Sequence, residues 1–265
     1  MPYETPLTAD RFKVQLREIF QKLAVGSRLI KLPKNSFVYT SGQRDEAVYY
    51  IVSGQVKLLV PSPEGKECLL AIRTSGDIFG ELCLSGPAVR FETAMAMKGA
   101  TVRQIFHRDF LAYLKSQSLL EDLVRYLAAR IAEQQEIIIS MVTLRSEQRL
   151  AHTLIGLSRV LGKNMICGTC IEPKMSQLEL AKMVGTTRTR IGMFLKRFRE
   201  LGLIHLTHEG CIVINEIKLK EFLEGYGFPD DNLRGGAPAT GAPARQPAPR
   251  TPPCGGSCLP ARLRF

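Results

Sequence analysis

Much of what would mark a secreted protein, a membrane protein or an enzyme is missing from this chain of 265 residues. Residues Met1 to Asp10 have neither a basic start nor an apolar core, so no secretory leader is expected. No apolar run reaches membrane-spanning length; the richest, Glu136 to Leu144, is too short. The histidines are few (His107, His152, His205 and His208), and none stands in a Ser/His/Asp or metal-ligand pattern. That leaves an enzyme with little support. The seven cysteines are odd in number and scattered, and 45% apolar content already gives an ample core, which favours a reducing cytoplasm over a disulfide framework. One local absence is informative in the other direction. From Arg188 to Arg199 there are five basic residues and no acidic one.

Net charge alone identifies nothing, because the formal +11 is spread as +4 over residues 1–145, +4 over 146–228 and +3 over the remainder. What organises the chain is a run from Leu119 to Arg145 without Pro or Gly. Leu120, Val124, Leu127, Ile131, Ile138 and Met141 fall at alternating four- and three-residue spacing, the seam of a coiled coil. Gln134 fills the seam position between Ile131 and Ile138, followed by Gln135. A long helix pairing with its own copy is expected. A polar residue inside such a seam sets register or marks a site.

Before this helix, residues 10–25 read as an amphipathic helix, with Phe12, Leu16, Ile19, Phe20 and Leu23 on one face. From Ser27 to Phe106 the period changes to short β-rich runs: Arg28–Leu32, Phe37–Tyr39, Val48–Ser53, Gln55–Val60, Cys68–Ile72, Ala94–Met97 and Val102–Phe106. Turn residues separate them, so an antiparallel β-roll or jelly roll is expected. A short helix is read near His107–Ser116.

VYYIVSGQVKLLV, EGKECLLAIRTSGDIFGELCL and the Arg nine residues after the Glu together resemble the cyclic-nucleotide-binding β-roll. The resemblance implies that Gly80, Glu81, Leu82 and Cys83 form a turn whose backbone N–H groups hold a cyclic phosphate. In it Glu81 takes the ribose hydroxyl and Arg90 pairs with the phosphate. A phosphodiester wants just such a guanidinium fork with aligned donors. Phe91 and Glu92 depart from the small residues usual after the Arg. Phe91 offers no hydroxyl, and Glu92, if turned inward, would set a like charge beside the phosphate. If both point outward, Arg90 is a scaffold residue. Gln134 and Gln135 align with positions that touch the purine; an amide there can pair with a purine edge or with its copy across the seam.

Past the long helix, residues 146–163 form a further amphipathic helix stopped near Gly162. MICGTCIEP reads as a hairpin turning at Gly168-Thr169, which would set Cys167 opposite Cys170. With no second CxxC nearby, it is not read as a metal or redox site. Ser176 with Glu179 is a capping box opening a short helix, Val184-Gly185-Thr186 is a turn, and Thr187 caps a second helix from Arg188 to about Leu201. That is a helix-turn-helix. The hairpin LIHLTHEGCIVIN then looks like a wing.

The order of β-roll, long helix and winged helix-turn-helix resembles the CRP/FNR family of bacterial transcription regulators, over about residues 25–224. The fold class expected is α+β, divided into a sensor domain (1–116), a dimerisation helix (117–145), a winged helix-turn-helix domain (146–228) and a Pro/Gly/Ala-rich disordered tail (229–265). The resemblance implies a homodimer on a palindromic double-stranded DNA operator, cyclic AMP or cyclic GMP as effector, and RNA polymerase as partner, with no membrane. No metal or haem is expected, and with no cysteine before Cys68 an N-terminal iron–sulfur cluster cannot be built. Arg188, Thr189 and Met193 should meet base edges, and Thr187, Arg190 and Lys196 should meet phosphates. Best-known members carry Glu and Arg where this chain has Thr189 and Met193, so their operator is not assumed. Two other readings stay open: an effector-independent or differently sensing relative, and a cyclic-nucleotide regulatory subunit acting on a partner protein.

Overall fold

The computed structural model of the chain describes residues 7–22, 26–62, 64–65, 67–86 and 89–225. The expected disordered tail and the end of the first helix at Leu23–Val25 lie outside these residues. Helix α1 (Leu7–Lys22) buries Phe12, Leu16, Ile19 and Phe20, the face expected from its spacing. Eight strands follow: β1 (Ser27–Leu32), β2 (Phe37–Tyr39), β3 (Ala47–Ser53), β4 (Gln55–Pro61), β5 (Glu67–Thr74), β6 (Ile78–Phe79), β7 (Thr93–Ala96) and β8 (Ala100–Phe106). They form two antiparallel four-stranded sheets, in the orders β1-β8-β3-β6 and β2-β7-β4-β5. Strand β6 escaped the sequence pattern because two residues carry no period. Pairing with Tyr49 and Tyr50 defines it.

Alternation along β3 explains its unbroken apolar run. Tyr49 and Ile51 face the roll interior with Tyr39, Val56, Phe79 and Val102. Val48 and Tyr50 face outward into a second cluster with α1, helix α2 (His107–Ser116) and helix α3 (Leu120–Thr143). Both faces are therefore covered. Phe20 stacks on Tyr50 with ring centres 4.4 Å apart.

Helix α3 runs 24 residues. Helix α4 (Ser146–Leu161) leads into β9 (Gly162–Met165) and β10 (Gly168–Ile171), then α5 (Gln177–Val184), α6 (Arg188–Glu200), β11 (Ile204–Leu206), β12 (Ile212–Ile214) and α7 (Glu216–Gly225). The β9–β10 hairpin turns at Ile166-Cys167, not at Gly168-Thr169, since Met165 pairs with Gly168. Cys170 consequently faces Lys163 rather than Cys167. Gly168 serves close approach, not the turn: a Cβ there would lie 2.4 Å from the Ile214 carbonyl oxygen. Strand β10 also pairs with β12, so hairpin and wing make one sheet ordered β11-β12-β10-β9.

The outer side of the roll meets the C-terminal part directly. Leu59, Leu69, Ile72 and Met97 belong to the same buried cluster as Leu150, Leu154, Leu180, Ile191 and Phe198. Two ion pairs flank it: Lys57 with Glu179 at 3.0 Å and Lys182 with Glu67 at 2.5 Å.

Candidate effector pocket and nucleic-acid interface

The residues expected around the phosphate do come together. Glu81 to Ser85 form one 3₁₀ turn entered through Gly80 at φ +76°. Glycine is required there twice over. The left-handed backbone disfavours a side chain, and a Cβ would sit 2.8 Å from Arg90 Nη1. Leu82 is exposed, and Cys83 is buried with its thiol pointing at the Glu46 and Ala47 carbonyls.

Arg90 is only 4% exposed, and its donors are largely used by the protein itself. Nε and Nη2 donate to Asp45 Oδ2 at 3.2 and 2.8 Å, Nη1 donates to the Gly80 carbonyl at 2.6 Å, and Nη2 also donates to the Ala47 carbonyl. Its guanidinium lies 4.2 Å from the centre of the Tyr39 ring. Asp45 thus sits where an anionic ligand of this guanidinium would sit. Phe91 points outward, 62% exposed, whereas Glu92 turns inward and accepts from the Tyr39 hydroxyl at 2.8 Å. The two departures from the family pattern therefore have opposite fates. Burial holds the Glu92 carboxyl above the ordinary carboxylate range, partly offset by the Tyr39 hydrogen bond.

The cleft bounded by Asp45, Leu82, Cys83, Arg90 and Glu92 has a volume of about 10 Å³. That is the threshold for one water molecule, whereas ligand pockets run to roughly 300–1,000 Å³. A wider concavity of about 620 Å³ lies beside Arg28, Arg44, Tyr49 and Gln104. Asp45 lines both.

Helix α3 closes over the turn with a residue the sequence reading missed. Arg130, 8% exposed, donates to Glu81 at 2.6 Å, to the Ile78 carbonyl at 2.5 Å and to the Tyr126 hydroxyl. Tyr126 in turn donates to Asp77 at 3.4 Å, and Lys13 of α1 pairs with Asp77 at 3.0 Å. Burial disfavours the charge on Asp77, but Lys13 and Arg130 outweigh it and hold its carboxyl below the ordinary range. Glu81 is therefore already paired. Gln134 and Gln135, one turn beyond Arg130, are exposed.

Along the same helix Leu120, Val124, Ile131, Ile138 and Met141 are exposed, with Val124, Ile131 and Ile138 each about 60% accessible. Leu127 differs: it packs against the roll-side cluster.

In the C-terminal part the capping box forms as expected. Glu179 N–H donates to Ser176 Oγ at 3.1 Å, and Ser176 N–H donates to the Glu179 carboxylate at 3.0 Å. Burial opposes the charge on Glu179, but hydrogen bonds from Ser176 and Lys57 outweigh it and lower its pKa. Thr187 caps α6 by accepting from Arg190 N–H at 3.3 Å. Ile191, Leu195 and Phe198 are buried, which turns Arg188, Thr189, Arg190, Met193 and Lys196 outward. The exposed start of α6 is therefore basic, with no acidic residue in its first turn.

The profile of the cyclic nucleotide-binding domain matches residues 29–117, and that of the Crp-like helix-turn-helix domain matches residues 148–222. Both occur in the order the fold shows. The chain belongs to the CRP/FNR family of transcription regulators. A CRP/FNR regulator is a DNA-binding protein, and α5–α6 is the helix-turn-helix of this one. The cAMP-activated global transcriptional regulator CRP of Pasteurella multocida is 27% identical over 186 residues, covering 69% of this chain and 88% of that protein. The CRP-like cAMP-activated global transcriptional regulator of Mycobacterium tuberculosis is 26% identical over 193 residues, covering 72% and 85%. Among solved structures, a mutant of CooA from Carboxydothermus hydrogenoformans superposes with a TM-score of 0.66 at 24% identity, covering 78% of this chain and 94% of that one. A CRP/FNR family transcriptional regulator from Thermus thermophilus gives 0.61 at 23% identity, covering 76% and 100%. These last two establish the shared CRP/FNR fold.

Proposed function

We propose that this protein is a homodimeric, sequence-specific transcription regulator of the cytoplasm, and that its β-roll binds a cyclic nucleotide weakly because Asp45 already occupies Arg90. Cyclic AMP is the first candidate, since the relatives from Pasteurella multocida and Mycobacterium tuberculosis are named for activation by it. The observation that carries the DNA-binding role is the exposed, acid-free start of α6, capped by Thr187 and set on a buried Ile191–Leu195–Phe198 core. RNA polymerase is the partner proposed for the DNA-bound dimer.

In this reading Arg188, Thr189 and Met193 read base edges, and Thr187, Arg190 and Lys196 bind phosphates. Arg188 pairing with a guanine is worth ~1–3 kcal/mol against the wrong base. Arg188→Ala should therefore relax specificity at one position of each half-site. Lys196→Ala should weaken all sequences alike and flatten the salt dependence. Titrations of specific and random DNA at several salt concentrations measure both. Equal losses for Arg188→Ala on the two DNAs would remove it from base reading. Absence of salt-dependent DNA binding would favour a regulatory subunit that acts on a protein partner.

The effector arm has its own test. An anionic phosphate must displace the Asp45 carboxylate from a guanidinium that already makes charge-assisted bonds. Bonds of that kind are worth roughly 1.5–3 kcal/mol, or a factor of ~10–100 in affinity. Asp45→Asn should raise cyclic AMP or cyclic GMP affinity by about that factor over wild type, read by calorimetry. No heat from either protein would assign the pocket to another ligand or to none.

A further inference from the structure

The hairpin β9–β10 and the wing carry three of the seven cysteines, and the described function uses none of them. The register brings two of these together with a carboxylate. Ile171 pairs with Ile212 and Cys170 with Val213, so extending the ladder by one step sets Glu172 opposite Cys211. Side chains two apart on a strand share a face. Cys170, Glu172 and Cys211 therefore project from one face of the β10–β12 pair. Their ligating atoms all lie within 4.8 Å of one another, the one such group of three among the described residues. Cys170 is 3% exposed and Cys211 8% exposed, in a small cluster that Val213, Met165 and Cys167 complete.

We propose that Cys170, Cys211 and Glu172 form a binding site for a zinc-type divalent cation, which ties the wing to the strand that leads into the helix-turn-helix. The chemistry fits. Zinc bonds thiolate sulfur at about 2.3 Å and carboxylate oxygen at about 2.0–2.2 Å, so tetrahedral ligand atoms stand roughly 3.3–3.8 Å apart. The three atoms stand at most about 1.5 Å beyond that spacing, within the reach of side-chain rotation. Two thiolates and a carboxylate around a dication leave one net negative charge. Lys163, whose ammonium lies 2.5 Å from Glu172, supplies the balancing positive charge. A water can supply the fourth ligand. On binding, the two thiols lose their protons and the metal takes their place. Cys211 is held ready in the wing turn: its N–H donates to Thr207 Oγ1 at 3.0 Å, and Thr207 N–H donates to its carbonyl at 3.0 Å.

The test uses the full chain, purified reduced, stripped with chelator and titrated with cobalt(II). The expected result is one cobalt per chain with a thiolate-to-cobalt charge-transfer band in the near ultraviolet, displaced by zinc. Cys170→Ser/Cys211→Ser should lose that band, while Cys254→Ser/Cys258→Ser should keep it. Glu172→Gln leaves the buried thiols in place and guards against misfolding of the double variant. Because partners outside the ligand set alone cost roughly 10–100-fold in metal affinity, losing a ligand should cost at least about tenfold. The site is overturned if wild type shows no charge-transfer band, or if the band survives in Cys170→Ser/Cys211→Ser. It also falls if Glu172→Gln binds cobalt as tightly as wild type. A Cys170–Cys211 disulfide found by mass spectrometry, with no metal uptake after reduction, would make the pair a thiol switch instead.

Discussion

Replacing Arg90 with leucine is expected to destabilise the folded protein by roughly 3–5 kcal/mol, the cost of leaving a buried charge without its partner. Arg90 is 4% exposed, and the side chain of Asp45 is 11% exposed, so water does little to screen the orphaned carboxylate. The Gly80 and Ala47 carbonyls lose their donor as well. For a chain of this size, 1 kcal/mol moves the melting temperature by ~2–4 °C, so a drop of roughly 6–20 °C should appear in a thermal melt. Arg90→Leu with Asp45→Leu should recover part of the loss, since the second change removes the stranded charge. A single variant melting within about 2 °C of wild type, less than 1 kcal/mol moves the midpoint, would show that Arg90 is not a structural linchpin. Loss of nucleotide binding in Arg90→Leu would therefore not by itself identify a phosphate ligand. Asp45→Asn separates the two roles because it keeps the guanidinium.

Ile131→Glu is expected to convert the protein to monomers. Val124, Ile131 and Ile138, exposed on α3 at seven-residue spacing, form the stripe that the proposed dimer would cover. A buried unpaired charge costs roughly 3–5 kcal/mol, and a symmetric dimer carries two copies. At 1.4 kcal/mol per tenfold, the dissociation constant should rise by about four to seven orders of magnitude. Sedimentation at micromolar concentration reads this directly. A dimeric Ile131→Glu would move the interface off this seam. Leu127→Glu is a poorer probe: Leu127 packs against the roll, so its substitution also disturbs the fold within one chain.

Where a local pattern carries the information, the sequence reading and the structure agree. The long helix read from the Pro- and Gly-free run between Leu119 and Arg145, the Ser176/Glu179 capping box and the Thr187 cap each need only neighbours within a few positions, and each is found. The two carboxylates that decide the pocket are different. Asp45 lies in the loop before β3 and meets Arg90 across 45 positions, so no spacing announces it. Glu92 could face either way until Tyr39, 53 positions earlier, supplied its hydrogen bond. Among the charges of the long helix, little singles out Arg130. Its one signal was its place after Leu119, Leu123 and Tyr126, a second row at four- and three-residue spacing that the roll buries. Gly168 misled for the opposite reason. Glycine marks turns and close approaches alike, and only the pairing of β10 with β12 tells which.

Leu59, Leu69, Ile72 and Met97 sit in one apolar interior with the helices of the winged domain. Lys57 reaches the carboxylate that caps α5. The chain reads as modules, yet a division at residue 145 cuts through that interior rather than around it. Exchanging DNA-binding halves among relatives would thus exchange half of a jigsaw. A transplanted half would have to bring matching apolar knobs for β4 and β5, and an acid where Glu179 meets Lys57. Changes on the outer face of the roll and on α5 are bound to one another as tightly as any within a single module.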